Sequence, residues 1–308
     1  MSSGNPSPSI DPGKRARLIK AASYASVTFA LGLALVKAWA WYETGSVSLL
    51  SSLADSVLDL LASGLTFWAV RFSLTPADSE HRFGHGKSEG LSALLQSLII
   101  MGSGVFVCSE AITRLANPRP IDAPVLGVSV MALAIVVTLI LVSFQLYVGR
   151  RTGSVAIAAD AMHYKADVLV NISVAGTILL VDQTGWTIAD PIVGLLVAGY
   201  ILWGAFGILG HALDVLLDRE IPDEDRETIE RIALAHPEVS GLHDMKTRFG
   251  GSHYIVQFHL ELDPQITLWH SHEILDDVEA EIRKRYPDCE IIIHADPIGF
   301  PERREQFA

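Results

Sequence analysis

Asp55 and Asp59 stand four residues apart inside one apolar stretch, and His163 and Asp167 stand four apart inside another. On a helix that spacing puts both side chains on one face, about one turn from each other. A carboxylate in hydrocarbon costs several kcal/mol unless something compensates it, so such residues mark a function by default. Asp is also too short to snorkel from the middle of a span. Three carboxylates and one imidazole are four donors for a divalent cation, and Zn2+ accepts such a set at about 2.0–2.2 Å. Neither helix completes that shell alone, so the two faces have to meet. A second donor set, Asp78, His81 and His85, lies in the polar stretch between Pro76 and Lys87. Its Gly84-His-Gly-Lys run lacks the phosphate-loop spacing. A third set lies near the C-terminal end, where six of the 11 histidines fall between positions 243 and 294. There Val256, Phe258 and Leu260 share one strand face, which leaves His259 on the other, and His294 and Asp296 share a face with Ile292.

These donors have to be held by something, and the composition says what. Half of the 308 residues are hydrophobic and only 19% are charged, fewer than the roughly 25% of a soluble domain. Apolar runs long enough to span hydrocarbon occur at about 18–42, 46–72, 90–115, 124–148, 154–181 and 188–212. The second and fifth are the least apolar, and they carry the paired ligands. Residues 1–13, rich in Ser, Pro and Gly, read as a disordered N-terminus. The first apolar run is too long for a signal peptide and ends in Trp39, Trp41 and Tyr42, an interfacial anchor. Nine Lys or Arg residues flank the spans on one side (Lys14, Arg15, Arg17, Lys20, Arg71, Arg82, Lys87, Arg150 and Arg151) against two on the other, Arg114 and Arg119. That bias puts both termini in the cytoplasm. Lys37 reads as a long stem reaching the outer interface. Asp160, one turn before His163, either lines the inner vestibule or joins the site indirectly.

The charge changes after Asp218. Residues 1–218 hold 15 acids and 13 bases, whereas 219–308 hold 20 acids and 10 bases. An acidic segment suits cations and excludes nucleic acid as a partner. Helix, strand, strand, helix and strand are expected in turn, with Gly250-Gly251 as the hairpin and Pro237 ending the first helix. The fold class is therefore an α-helical membrane protein: a transmembrane transport domain at 14–217, then a small α+β cytoplasmic domain at 218–299, of ferredoxin-like α-β-β-α-β order, and a tail at 300–308. Cys108 and Cys289 offer neither a disulfide framework nor a metal knuckle.

Six spans, DSVLD in the second, HYKAD in the fifth, the DSEHRFGHGK loop, and LLDREIPDEDR leading into the last domain resemble the cation diffusion facilitator family, in its bacterial zinc and ferrous-iron efflux branch. The resemblance covers about residues 14–298. It implies a transport site of Asp55, Asp59, His163 and Asp167, and a loop site of Asp78, His81 and His85. It implies a binuclear cytoplasmic site of His243, His259, His272, His294 and Asp296 at a subunit interface. It also implies a charge interlock of Lys87 with Asp218 near that interface. His253 and His270 are extra to the pattern.

The expected function is a homodimeric, multi-pass transporter of the inner (cytoplasmic) membrane. It exports Zn2+, and Cd2+ with it, from the cytoplasm against inward proton flow. Fe2+ or Mn2+ efflux by the same route is the alternative, since three carboxylates and an imidazole do not choose among these ions by affinity alone. A membrane-anchored metal sensor or scaffold is the rival of another class, but an anchor needs no ligands in mid-membrane. An intramembrane metalloprotease would need HExxH, which is absent: His272-Glu273 runs on into Ile-Leu-Asp.

Overall fold

The computed structural model describes residues 11–44, 47–116, 125–186, 188–251 and 253–299. The chain divides after Leu216 into two compact units.

The first unit is a bundle of six long helices: α1 (Pro12–Thr44), α2 (Val47–Ser73), α3 (Ser88–Ala116), α4 (Val125–Thr152), α5 (Val155–Thr184) and α6 (Ala189–Leu216). Helix α1 begins inside the stretch expected to be disordered. Asp11 accepts the backbone N–H of Lys14 at 2.8 Å, and Pro12 supplies the preset φ of a first helical turn. Among the described residues, five helices are long and apolar enough to cross a membrane. Helix α5 is as long as the others, at 30 residues, but Asp160, His163, Lys165 and Asp167 interrupt its apolar run.

The bundle turns apolar side chains outward. Leu58, Leu61, Phe106, Leu196 and Trp203 are all exposed, an arrangement water would penalise and lipid accepts. Its interior is built of small and polar residues. A Cβ on Gly104 of α3 would meet Leu202 of α6 at 2.9 Å, so that glycine lets the two helices approach closely. At one end a buried brace ties four helices. Arg15 donates to the carbonyl of Thr152 at 2.9 Å and faces Glu89 at 3.7 Å, and Glu89 also accepts from Ser73 and Ser154.

The second unit comprises α7 (Asp223–Leu234), β1 (Gly241–Phe249), β2 (Tyr254–Leu262), α8 (Leu268–Arg285) and β3 (Glu290–Pro297). The sheet order is β1-β2-β3, with β1 antiparallel and β3 parallel to β2. Alternation along β2 buries Val256, Phe258 and Leu260 against Ile229 and Ala233 of α7 and Val278 and Ile282 of α8. Thr267 caps α8 by accepting the His270 N–H. Both helices thus cover one sheet face. The other face carries a row across the strands, His243 opposite His259 and His259 opposite His294. The expected tail, 300–308, lies outside the described residues.

Candidate metal centres

Among the described residues, three groups of donors converge. In the bundle, Asp59, His163 and Asp167 bring one ligand atom each to within 4.8 Å of one another. His163 Nε2 lies 3.1 Å from Asp59 Oδ1 and 3.8 Å from Asp167 Oδ2. The four-residue spacing on α5 puts His163 and Asp167 together, and the packing of α2 on α5 delivers Asp59. Asp55 is not in the tight group. It sits one turn back along α2 and is exposed.

The sequence singles out Asp160, one turn before His163, but gives no local signal for its partners. Asp160 is completely buried. It accepts from Ser26 Oγ at 2.6 Å, Gln145 Nε2 at 2.5 Å and, more weakly, Gln96 Nε2 at 3.4 Å. Ser26 also reaches Ser63 at 2.9 Å, and Ser63 bonds the Tyr164 hydroxyl at 2.7 Å. Four helices, α1, α3, α4 and α5, therefore meet at one carboxylate, with α2 joined through Ser63, beside the helical turn that carries His163. Asp160 is in the interior network, not in a vestibule.

The loop group is compact. Asp78, His81 and His85 place their ligand atoms within 4.8 Å. Each imidazole lies 3.3 Å from the Asp78 carboxylate. Asp78 accepts the backbone N–H of His81 at 2.6 Å and of Glu80 at 2.9 Å. The His81 N–H above all, then that of Glu80 and the two imidazoles, hold its carboxyl below the ordinary carboxylate range. Ionised and pre-aimed, it suits a cation. Asp78→Ala should lower Zn2+ bound per protomer by about one equivalent while the bundle ion is retained, read by equilibrium dialysis. No lost equivalent would make this loop purely structural.

In the second unit Asp296 is the hub. Its carboxylate lies 2.7 Å from His259, 3.3 Å from His243 and 3.1 Å from His294. A bulge between His243 and Lys246, with Asp244 at φ 49°, aims the start of β1 at this row. Imidazoles and a carboxylate at these separations fit Zn2+ or a similar ion. His272 is not brought in. It lies on α8, which covers the opposite face, is exposed, and pairs with Asp276 at 3.7 Å. The extra histidines are elsewhere too: His253 faces Glu290 at 3.7 Å, and His270 lies between Glu238 at 2.8 Å and Glu273 at 3.2 Å. Lys87 donates to the Leu216 carbonyl at 3.4 Å, and Asp218 pairs with Arg248 at 3.3 Å.

This unit has its own core, so the fragment 219–308 can be tested alone. An ion bound only by the folded form at a hundred times its Kd adds about 2.7 kcal/mol. For a domain of this size that is on the order of 10–20 °C in Tm. Asp296→Ala should lose most of the gain. An equal shift in both would place the Zn2+ elsewhere, at His253 or His270.

The profile of the cation efflux transmembrane domain matches residues 23–217, and that of the cation efflux cytoplasmic domain matches 221–298. The chain belongs to the cation efflux, or cation diffusion facilitator, family. It is 43% identical over 291 residues to the cation-efflux pump FieF of Yersinia enterocolitica, covering 94% of this chain and 95% of the relative. It is 44% identical over 290 residues to FieF of Escherichia coli O1:K1, covering 93% and 95%. Among solved structures, the metal-bound C-terminal domain of the CzcD transporter from Thermotoga maritima is 25% identical, with a TM-score of 0.25, covering 26% of this chain and 93% of that one. This cation-efflux protein is accordingly a multi-pass membrane transporter of divalent metal ions.

Proposed function

We propose that this transporter is a proton-coupled antiporter exporting Zn2+, with Cd2+ as a second cargo, from the cytoplasm. The observation that carries this is the convergence of Asp59, His163 and Asp167 from two membrane helices. Metal binds deprotonated carboxylates and neutral imidazole, so protons and metal compete for the same atoms. Protonation from the outer side then releases the ion, and alternating access resets the site. Asp55 completes the shell from one turn away, and the loop group at Asp78 binds a second ion.

The excess of Lys and Arg on one side of the spans supports a cytoplasmic location for both termini in a bacterial inner membrane. The acidic second unit acts as a clamp between two copies. Metal at His243, His259, His294 and Asp296 offsets their mutual repulsion, and His272 serves the same cluster across the interface.

Fe2+ is the competing cargo, because it accepts the same oxygen and imidazole donors. Flux into proteoliposomes, measured metal by metal, separates the two. Zn2+ and Cd2+ transport exceeding Fe2+ and Mn2+ is expected, and a preference for Fe2+ would replace this cargo assignment.

A further inference from the structure

Lys37 is a half-buried lysine of α1, and its helical face decides what it does. Ile19, Ala22, Ser23, Ser26, Ala30 and Ala34 form the buried stripe of α1. Lys37 follows Ala34 by three residues and continues that stripe, and it is half-buried. Its neighbours Leu35, Val36 and Trp39 point outward and are exposed. A lysine that only snorkelled towards the interface would be expected on their side.

The axial register agrees. Helix α1 runs antiparallel to α2: the Tyr24 and Phe67 rings lie 5.0 Å apart, Arg71 donates to the Tyr24 hydroxyl at 2.9 Å, and Ser26 donates to Ser63 at 2.9 Å. From the Ser26–Ser63 level, Lys37 lies about 16 Å along α1, while Asp59 and Asp55 lie about 6 and 12 Å along α2 in the same direction, at 1.5 Å per residue. Helical side chains lean towards their own N-terminus. In an antiparallel pair, Lys37 therefore leans back towards the aspartates and the aspartates lean up towards it.

We infer that Lys37 is the resident counter-cation of the transport site, a positioning residue that holds the aspartates together between cargoes and keeps metal affinity low enough for release. The inference rests on reading Asp59, His163 and Asp167 as the transport site. Without a cation, three carboxylates would repel one another in a poorly hydrated place. An ammonium group offsets that repulsion without filling the ligand positions. It also repels the incoming divalent ion, so binding is weakened and the outgoing step is eased. The trade is between affinity and turnover, and that distinguishes it from a merely structural lysine.

The test is Zn2+ binding by calorimetry together with Zn2+ flux in proteoliposomes, using the full-length protein. Lys37→Met should tighten transport-site binding by about tenfold and lower KM and maximal flux together, because one repelling charge is gone. Lys37→Gln should shift the same way, and Lys37→Arg should return both values towards wild type. Should the Met variant fold poorly, the Gln and Arg pair still decides the question by the direction of the affinity change. Unchanged or weaker affinity in the neutral variants, or no return with Arg, overturns the role of Lys37. Asp59→Ala, run alongside, separates this from the underlying reading: if that variant keeps its Zn2+ binding and flux, the transport-site assignment itself fails, whatever Lys37 does.

Discussion

Asp59→Ala and Asp167→Ala should each reduce Zn2+ flux by more than about a hundredfold, beyond what the loss of an outer-shell partner costs. The two carboxylates approach the same His163 Nε2, at 3.1 and 3.8 Å, from different helices. Removing either takes away a charge and a ligand position at once. Neither change should unfold the bundle. Both side chains are only partly buried, and each replacement relieves like-charge repulsion. The folded state is checked by gel filtration and circular dichroism. Robust flux in both folded variants would place the transport pathway somewhere else. Asp55→Ala should be milder in binding than in flux, because Asp55 stands outside the close triad.

Zn2+ affinity should fall at least about tenfold as pH drops from about 7.5 to 5.5, a window spanning the reference His value near 6.5. The sign follows from the ligands. Each bound proton removes a donor that the metal needs, so every proton displaced on binding weakens apparent affinity as pH falls. His163→Asp replaces the imidazole by a fourth carboxylate. It should keep metal binding, shift selectivity towards Mn2+, which prefers oxygen donors, and move the pH dependence to lower pH. An unchanged pH profile in that variant would mean that His163 takes no part in the exchange.

How much of this the sequence carries differs from site to site. The four-residue pairs on α2 and α5 are visible because helical geometry alone puts such residues on one face. The Asp78 loop is visible because its donors are neighbours in the chain. The Asp160 network is not, since Ser26, Ser63, Gln96 and Gln145 come from four helices and no spacing links them. Lys37 is an intermediate case. Its place on the inner stripe of α1 can be read from Ala30 and Ala34, but the aspartates that face it depend on how α1 registers against α2. The histidine row needs the strand register and the bulge after His243, neither of which periodicity specifies. His272 shows the limit of a motif most plainly. It belongs to the family pattern, yet within one chain it lies on a helix covering the other face of the sheet. The start of α1 differs for a local reason, because Asp11 and Pro12 make a helix start out of residues whose composition suggests a flexible tail.

The central claim is that metal and protons exchange at Asp59, His163 and Asp167. It is tested most directly by following lumenal pH and Zn2+ uptake together in proteoliposomes that start without a pH gradient. Zn2+ entering should drive protons out, so lumenal pH should rise in step with uptake in the wild type. An ionophore that equilibrates protons should abolish the pH change, and Asp59→Ala should show neither signal. Zn2+ uptake of normal size with no pH change, surviving in Asp59→Ala, would contradict the account.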